Sequence, residues 1–219
     1  MNKTIRALAV LALAAGAAGL AQAQEQTPDY NVNVVKLGVT RYDTHAKTNG
    51  VQGLGVPAGA DATTSDATTV VFIYERMVSP NIGVELVLGK PPTIKGYAAG
   101  SVDYLGKVVE ADSVAPTLLF NYHFGEPSDK FRPYLGLGIN YTHFSNRKSP
   151  YGWKIHMEDS WGPAAEAGFS YKFDKTWGMF ASVAVLKVKS ELVGEGAAVI
   201  KTTIDYRPVV YTAGVSYSF

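Results

Sequence analysis

The chain has 219 residues, and its 20 Lys and Arg nearly cancel its 19 Asp and Glu to leave a net charge of +1. That balance offers no electrostatic footprint for a nucleic-acid partner, and the absence of cysteine excludes disulfides, thiolate metal sites and a cysteine nucleophile. Abundant Gly (22), Tyr (13) and Phe (9) in a chain of neutral hydropathy suit many alternating strands better than helices.

At the N-terminus Lys3 and Arg6 precede a small apolar run over residues 7–20, followed by Ala21-Gln22-Ala23, an A-x-A cleavage site. The run falls short of the ~20 residues a spanning helix needs. Residues 1–23 are therefore predicted to be a cleavable signal peptide, with 24–219 as one mature domain.

From there the dominant period is two, in segments of about ten residues. The first predicted strand, about Val32–Tyr42, alternates loosely, with Lys36 and Gly38 on its smaller face. In the second, Val70, Phe72 and Tyr74 oppose Val71, Ile73 and Glu75. In the third, Ile82, Val84, Leu86 and Leu88 oppose Gly83, Glu85, Val87 and Gly89. The fourth sets Val114, Pro116, Leu118, Phe120, Tyr122 and Phe124 against Ala115, Thr117, Asn121 and His123. The fifth sets Leu135, Leu137, Ile139 and Tyr141 against Gly136, Gly138, Asn140 and Thr142. The sixth, Trp161 to Phe173, places Glu166, Gly168, Ser170 and Lys172 opposite its aromatics and alanines. The seventh runs from Trp177 to Val185, and the eighth ends the chain with Tyr211, Val215, Tyr217 and Phe219 on one face.

Eight strands are an even number, as bacterial outer-membrane barrels require. The connections alternate in length. Residues 79–81, 125–130 and 174–176 are short, whereas 44–67, 90–112, 145–159 and 191–206 are long. The pattern predicts an all-β protein, an eight-stranded antiparallel transmembrane β-barrel with four long external loops and three short periplasmic turns. A soluble eight-stranded barrel would carry its charges outside. Here Glu75, Glu85, Glu166, Lys36 and Lys172 share the face of Gly and Ser, which favours the membrane. The first long loop, rich in Gly, Ala and Thr, reads as flexible, either a plain surface loop or a cover for a pore mouth through Val51, Leu54 and Val56.

An interior just wide enough to be filled by side chains must pair or hydrate its charges. Lys36 and Lys172 are thus expected to pair with Glu75, Glu85 and Glu166. Higher up, Val71, Ile73, Val87, Leu119, Phe180 and Ala184 project inward, either as ordinary packing or as the lining of a passage for an apolar solute. Pro116, Pro163 and Pro208 fall near the outer ends of the fourth, sixth and eighth strands. Proline cannot donate to the ladder, so these positions either mark strand starts or could let the wall open sideways.

Chemistry-bearing residues are sparse. His45, His123, His143 and His156 lack a metal-ligand spacing. A lipid-modifying enzyme would need a triad, and His143, Ser145 and Glu158 or Asp159 could supply one only on paper. No catalytic residue, metal or cofactor is expected.

Several stretches resemble the OmpW family of outer-membrane proteins. They are Asn81-Ile82-Gly83-Val84-Glu85-Leu86, the run from Lys130-Phe131-Arg132-Pro133-Tyr134 to Tyr141-Thr142, Asp159-Ser160-Trp161-Gly162, Pro116-Thr117-Leu118, Tyr122-His123-Phe124-Gly125 and the closing Tyr217-Ser218-Phe219. The resemblance implies a channel for passive uptake of small hydrophobic molecules, blocked toward the periplasm and releasing its solute through the barrel wall. It further implies a floor of large apolar side chains at positions aligned with Val87 and Ala184. Ala184 is small where bulk is implied, a departure that puts the closure of this floor in question. Phe219 is similar to the signal read by the barrel-assembly machinery. The expected partners are small hydrophobic solutes, membrane lipid, lipopolysaccharide and that machinery. The rival reading is a structural or adhesion barrel serving as a receptor for a host, phage or colicin.

Overall fold

The computed structural model describes residues 30–44, 46–196 and 199–219. The predicted signal peptide and His45 lie outside the described residues. In chain order the strands are β1 (Asn33–Asp43), β2 (Ala46–Thr48), β3 (Gln52–Gly53), β4 (Ala60–Thr64), β5 (Ala67–Met77), β6 (Ile82–Gly89), β7 (Thr93–Gly100) and β8 (Lys107–Val114). They continue with β9 (Thr117–His123), β10 (Phe131–Lys148), β11 (Lys154–Met157), β12 (Ser160–Lys172), β13 (Trp177–Leu186), β14 (Val188–Glu195), β15 (Val199–Tyr206) and β16 (Val209–Ser218).

Eight of these close a barrel in the order β1-β5-β6-β9-β10-β12-β13-β16 and back to β1, every neighbour antiparallel. Closure satisfies every wall ladder, the condition for crossing lipid with strands. The alternation decides which face meets the lipid. Leu137 is 70% exposed on the outside and Glu85 is 0% exposed on the inside. A soluble barrel would reverse them. Trp177, Tyr217 and Phe219 pack ring against ring at the end that carries the short turns, and Tyr141 packs on Trp161 at the other, 4.7 Å between centroids. These are the two aromatic girdles of a membrane barrel.

The short turns are held by side chains. Asp174 accepts the backbone N–H groups of Thr176 and Trp177 at 2.7 Å each. Asn81 Nδ2 donates to the carbonyl oxygens of His123 (2.6 Å) and Gly125 (2.8 Å), tying the first turn to the second.

The four long external connections carry strands of their own. β10 continues past the membrane to Lys148, pairs with β8, and through it carries β7 and β4. On the other side β11, β14, β15 and β2 form a second sheet, with β3 against β15. The first connection, expected to be flexible, carries β2, β3 and β4, anchored at β15 and β7. Leu54 does not cover a mouth, since it stands 90% exposed. These sheets face water, so their outer sides need no apolar stripe and their period is weaker in the sequence.

Of the three prolines singled out, Pro116 and Pro208 lie in short breaks just ahead of β9 and β16, and Pro163 lies within β12 near its start. Their carbonyls still bind across the wall. Pro116 O accepts Tyr141 N (3.0 Å), Pro163 O accepts Lys187 N (3.1 Å) and Pro208 O accepts Leu186 N (3.2 Å).

Asp112 links the extension to β10. Its carboxylate accepts Thr93 Oγ1 at 2.6 Å and Asn146 Nδ2 at 2.7 Å, bonds that hold its carboxyl below the usual carboxylate range. A carboxyl depressed in the folded state contributes stability above its unfolded pKa, lost as pH falls through the folded one. Amide protection factors in β7 and β8 should therefore fall below about pH 4, and Asp112→Asn should weaken that pH dependence.

Candidate functional site

The barrel interior is layered, and the layers follow from register. Glu75 pairs with Glu85 across β5 and β6, with Lys36 on the neighbouring strand β1. Lys36 Nζ lies 2.8 Å from Glu75 Oε2 and 2.7 Å from Glu85 Oε2, and all three side chains are buried. The ammonium also sits over the rings of Tyr134 (5.1 Å) and Phe180 (5.5 Å). Asn121 Nδ2 donates to Glu75 Oε1 (3.1 Å) and Glu85 Oε2 (3.2 Å), and His123 Nε2 lies 2.7 Å from Glu75 Oε1. Together these side chains plug the axis. Gly168 lets Tyr134 into the plug, because a Cβ there would stand 2.6 Å from the ring.

Below the plug Arg132 closes the periplasmic end, donating to the carbonyls of Pro80 (2.9 Å), Phe124 (3.3 Å) and Gly125 (3.3 Å). Lys172 departs from expectation. Its amine donates to the carbonyl of Pro127 and pairs with no carboxylate among the described residues. It stands too near this end to reach the plug. Glu166 forms no ion pair among the described residues either. It is buried, and its Oε2 has no hydrogen-bond partner.

Across Gly136 from Glu166 stands Asn121, whose Oδ1 is also without a partner. A Cβ on Gly136 would sit 2.2 Å from that oxygen and 3.6 Å from the Glu166 Cβ. Glu166→Gln removes an uncompensated carboxylate and supplies a donor where an acceptor waits. Urea titration of the barrel in lipid vesicles should show this variant more stable by about 1 kcal/mol.

Above the plug the walls turn apolar. Val71, Ile73 and Phe180 form one buried cluster, and Leu119, Ala164, Leu186 and Val210 form a second, with Ala184 packed against it. Val87 touches both. A cavity of about 30 Å³ lies among these groups. Higher still, between the two extension sheets, a cavity of about 80 Å³ is lined by Ile94, Val109, Phe144, Trp153, Ile155 and Leu192 among others. The plug is thus built around Lys36, Glu75, Glu85, Tyr134 and Phe180. Ala184 packs beside the small apolar cavity with Val87 and Leu119.

The residues considered for a triad are only partly brought together. His143 Nδ1 lies 2.6 Å from Asp159 Oδ1, and Tyr141 donates to Asp159 Oδ2 at 2.6 Å. Ser145 Oγ instead donates to the carbonyl of Asp112 at 3.5 Å, so the described geometry joins no nucleophile to His143. Asn121 and His123 were read only as members of an inward face. Glycines stand against four of the large inward side chains, Gly83 against Glu75, Gly136 against Asn121, Gly168 against Tyr134 and Gly38 against Phe180, and that signal is legible only once the register is known.

The OmpW family model matches residues 32–219. Outer membrane protein W of Escherichia coli is 30% identical over 99% of this chain and 98% of its own length. The dibenzothiophene metabolism operon protein PahQ of Pseudomonas aeruginosa is 27% identical over 84% of this chain and 87% of its own. The crystal structure of the outer membrane protein OprG from Pseudomonas aeruginosa superposes with a TM-score of 0.81 at 27% identity, covering 87% of this chain and 96% of that one. A match across the whole barrel, in sequence and in shape, shows that this chain belongs to the OmpW family of outer-membrane proteins.

Proposed function

We propose that the protein is a passive conduit for small hydrophobic molecules across the outer membrane. The observation that carries this reading is the division of the interior: apolar cavities stacked from the external sheets into the membrane, stopped by a charged plug. Apolar solutes cross a lipopolysaccharide layer poorly, and a greasy path through it needs neither energy nor a catalytic residue. PahQ is named for dibenzothiophene metabolism, and dibenzothiophene is a small apolar aromatic, which supports a solute of that class.

With the axis plugged by Lys36, Glu75 and Glu85, a solute that reaches Val71 and Leu119 has to leave sideways into the bilayer. The breaks that hold Pro116 and Pro208 lie at the level where the barrel passes into its extension, and Pro163 cannot donate to its ladder. Lateral release there is part of the proposal. So is the role of Phe219 as the assembly signal, and so is lipopolysaccharide as the surroundings of the external sheets.

Liposomes containing the protein should take up an apolar fluorescent solute faster than protein-free liposomes. Equal rates would overturn the reading and leave a structural or receptor barrel.

A further inference from the structure

The two apolar cavities are not continuous in chemistry. Tyr206 lines the upper one and Tyr42 the lower one. Register pairs Tyr206 with Ala46 and Tyr42 with Val210, so the tyrosines stand on neighbouring strand segments, one above the other at the waist. Tyr206 is 7% exposed and packs in the upper cluster with Phe144 and Met157, whereas Tyr42 packs against the Leu119 cluster below.

Neither phenol hydroxyl bonds another group among the described residues, and neither is among the fully enclosed polar atoms, which leaves both reachable from the cavities they line. Nearby polar side chains are satisfied by one another. Thr40 and Thr212 bond at 2.9 Å, Asn140 Nδ2 donates to Thr117 Oγ1 at 2.9 Å, and Thr142 Oγ1 donates to Asn140 Oδ1 at 2.8 Å. The waist therefore presents two free donors to a path whose walls are largely greasy, with Oε2 of Glu166 as an unpartnered acceptor in the lower cavity. A hydrocarbon crossing it would displace whatever solvates those hydroxyls and return no hydrogen bond.

We propose that Tyr42 and Tyr206 form a polar waist that selects solutes with an apolar body and one neutral hydrogen-bond acceptor, such as a ketone, ester or ether oxygen. This rests on the uptake reading and adds the chemical class of its substrate. An ionised carboxylate does not belong to that class. Glu166 lines the lower cavity, and no cation among the described residues lines it, so a second negative charge there would be repelled and unpaired.

The test is uptake into liposomes of three solutes of equal carbon count: a medium-chain methyl ketone, the alkane and the carboxylate. The wild-type protein should admit the ketone in preference to the other two. In Tyr42→Phe/Tyr206→Phe the ratio of ketone to alkane uptake should fall about five-fold, the weight of one neutral hydrogen bond. The single variants should each lose part of the ratio, and they carry the test if the double variant does not fold. An unchanged ratio in variants that fold, or a carboxylate admitted as readily as the ketone, would overturn the selectivity while leaving the conduit. If no solute enters faster than into protein-free liposomes, the conduit itself is wrong and the waist falls with it.

Discussion

Replacing Lys36 with Met is expected to destabilise the barrel by about 3–5 kcal/mol, the range for removing one partner of a buried ionic cluster. The ammonium lies within 2.8 Å of both Glu75 and Glu85, and none of the three side chains is more than 2% exposed. Those carboxylates face each other directly across β5 and β6, an arrangement that is repulsive without the cation between them. His123 lies against Glu75 alone, and Asn121, which donates to both carboxylates, is neutral and cannot replace a full charge on Glu85. Met keeps most of the side chain's length and removes the charge with its donors. Equilibrium unfolding in lipid vesicles reads the effect, and Lys36→Met/Glu75→Gln/Glu85→Gln should recover most of it, because a neutral set leaves no unpaired ion. Lys172→Met serves as the comparison. Its amine bonds only a backbone carbonyl at the periplasmic mouth, so it should shift stability by less than about 1 kcal/mol. A loss below 1 kcal/mol for Lys36→Met would mean that water, and not Lys36, neutralises the carboxylates.

The wall of this barrel was legible in the sequence because lipid imposes a strict period. Leu135, Leu137 and Ile139 have to face outward, and each intervening glycine or asparagine then faces in. The plug was legible only in its membership. Lys36, Glu75 and Glu85 share a face in any register, but that they meet at one level depends on the stagger between strands, and no residue announces the stagger. For the same reason Lys172 was placed with the acids, although it lies layers away. The external sheets were read as loops because water on one side relaxes the alternation, and Val188, Leu192 and Ile204 were too widely interrupted to mark a shared core. Tyr42 and Tyr206 lie on either side of that boundary between strict and relaxed pattern, which is why no spacing in the chain brings them together.

Filling the gap above the plug should stop the solute without unfolding its container. Val87 is the only residue packed against both apolar clusters within the barrel among those described, and the cavity beside it measures about 30 Å³. Val87→Trp adds an aromatic ring at that point. Overpacking of this kind costs about 1–3 kcal/mol, small against a wall whose backbone bonds are all retained. Raising the barrier to passage by only about 1.4 kcal/mol slows uptake ten-fold, so liposomes carrying this variant should take up an apolar solute at least about ten times more slowly than wild type. The register supplies a control that separates blockage from misfolding. Ile73 faces Val87 on β5, and Ile73→Ala placed in the Val87→Trp background gives the ring somewhere to lie. If the path runs through this layer, the double variant regains uptake. If uptake by Val87→Trp equals wild type while the barrel remains folded, solute does not pass between Val87 and Ala184, and the route leaves the interior above them, through the external sheets alone.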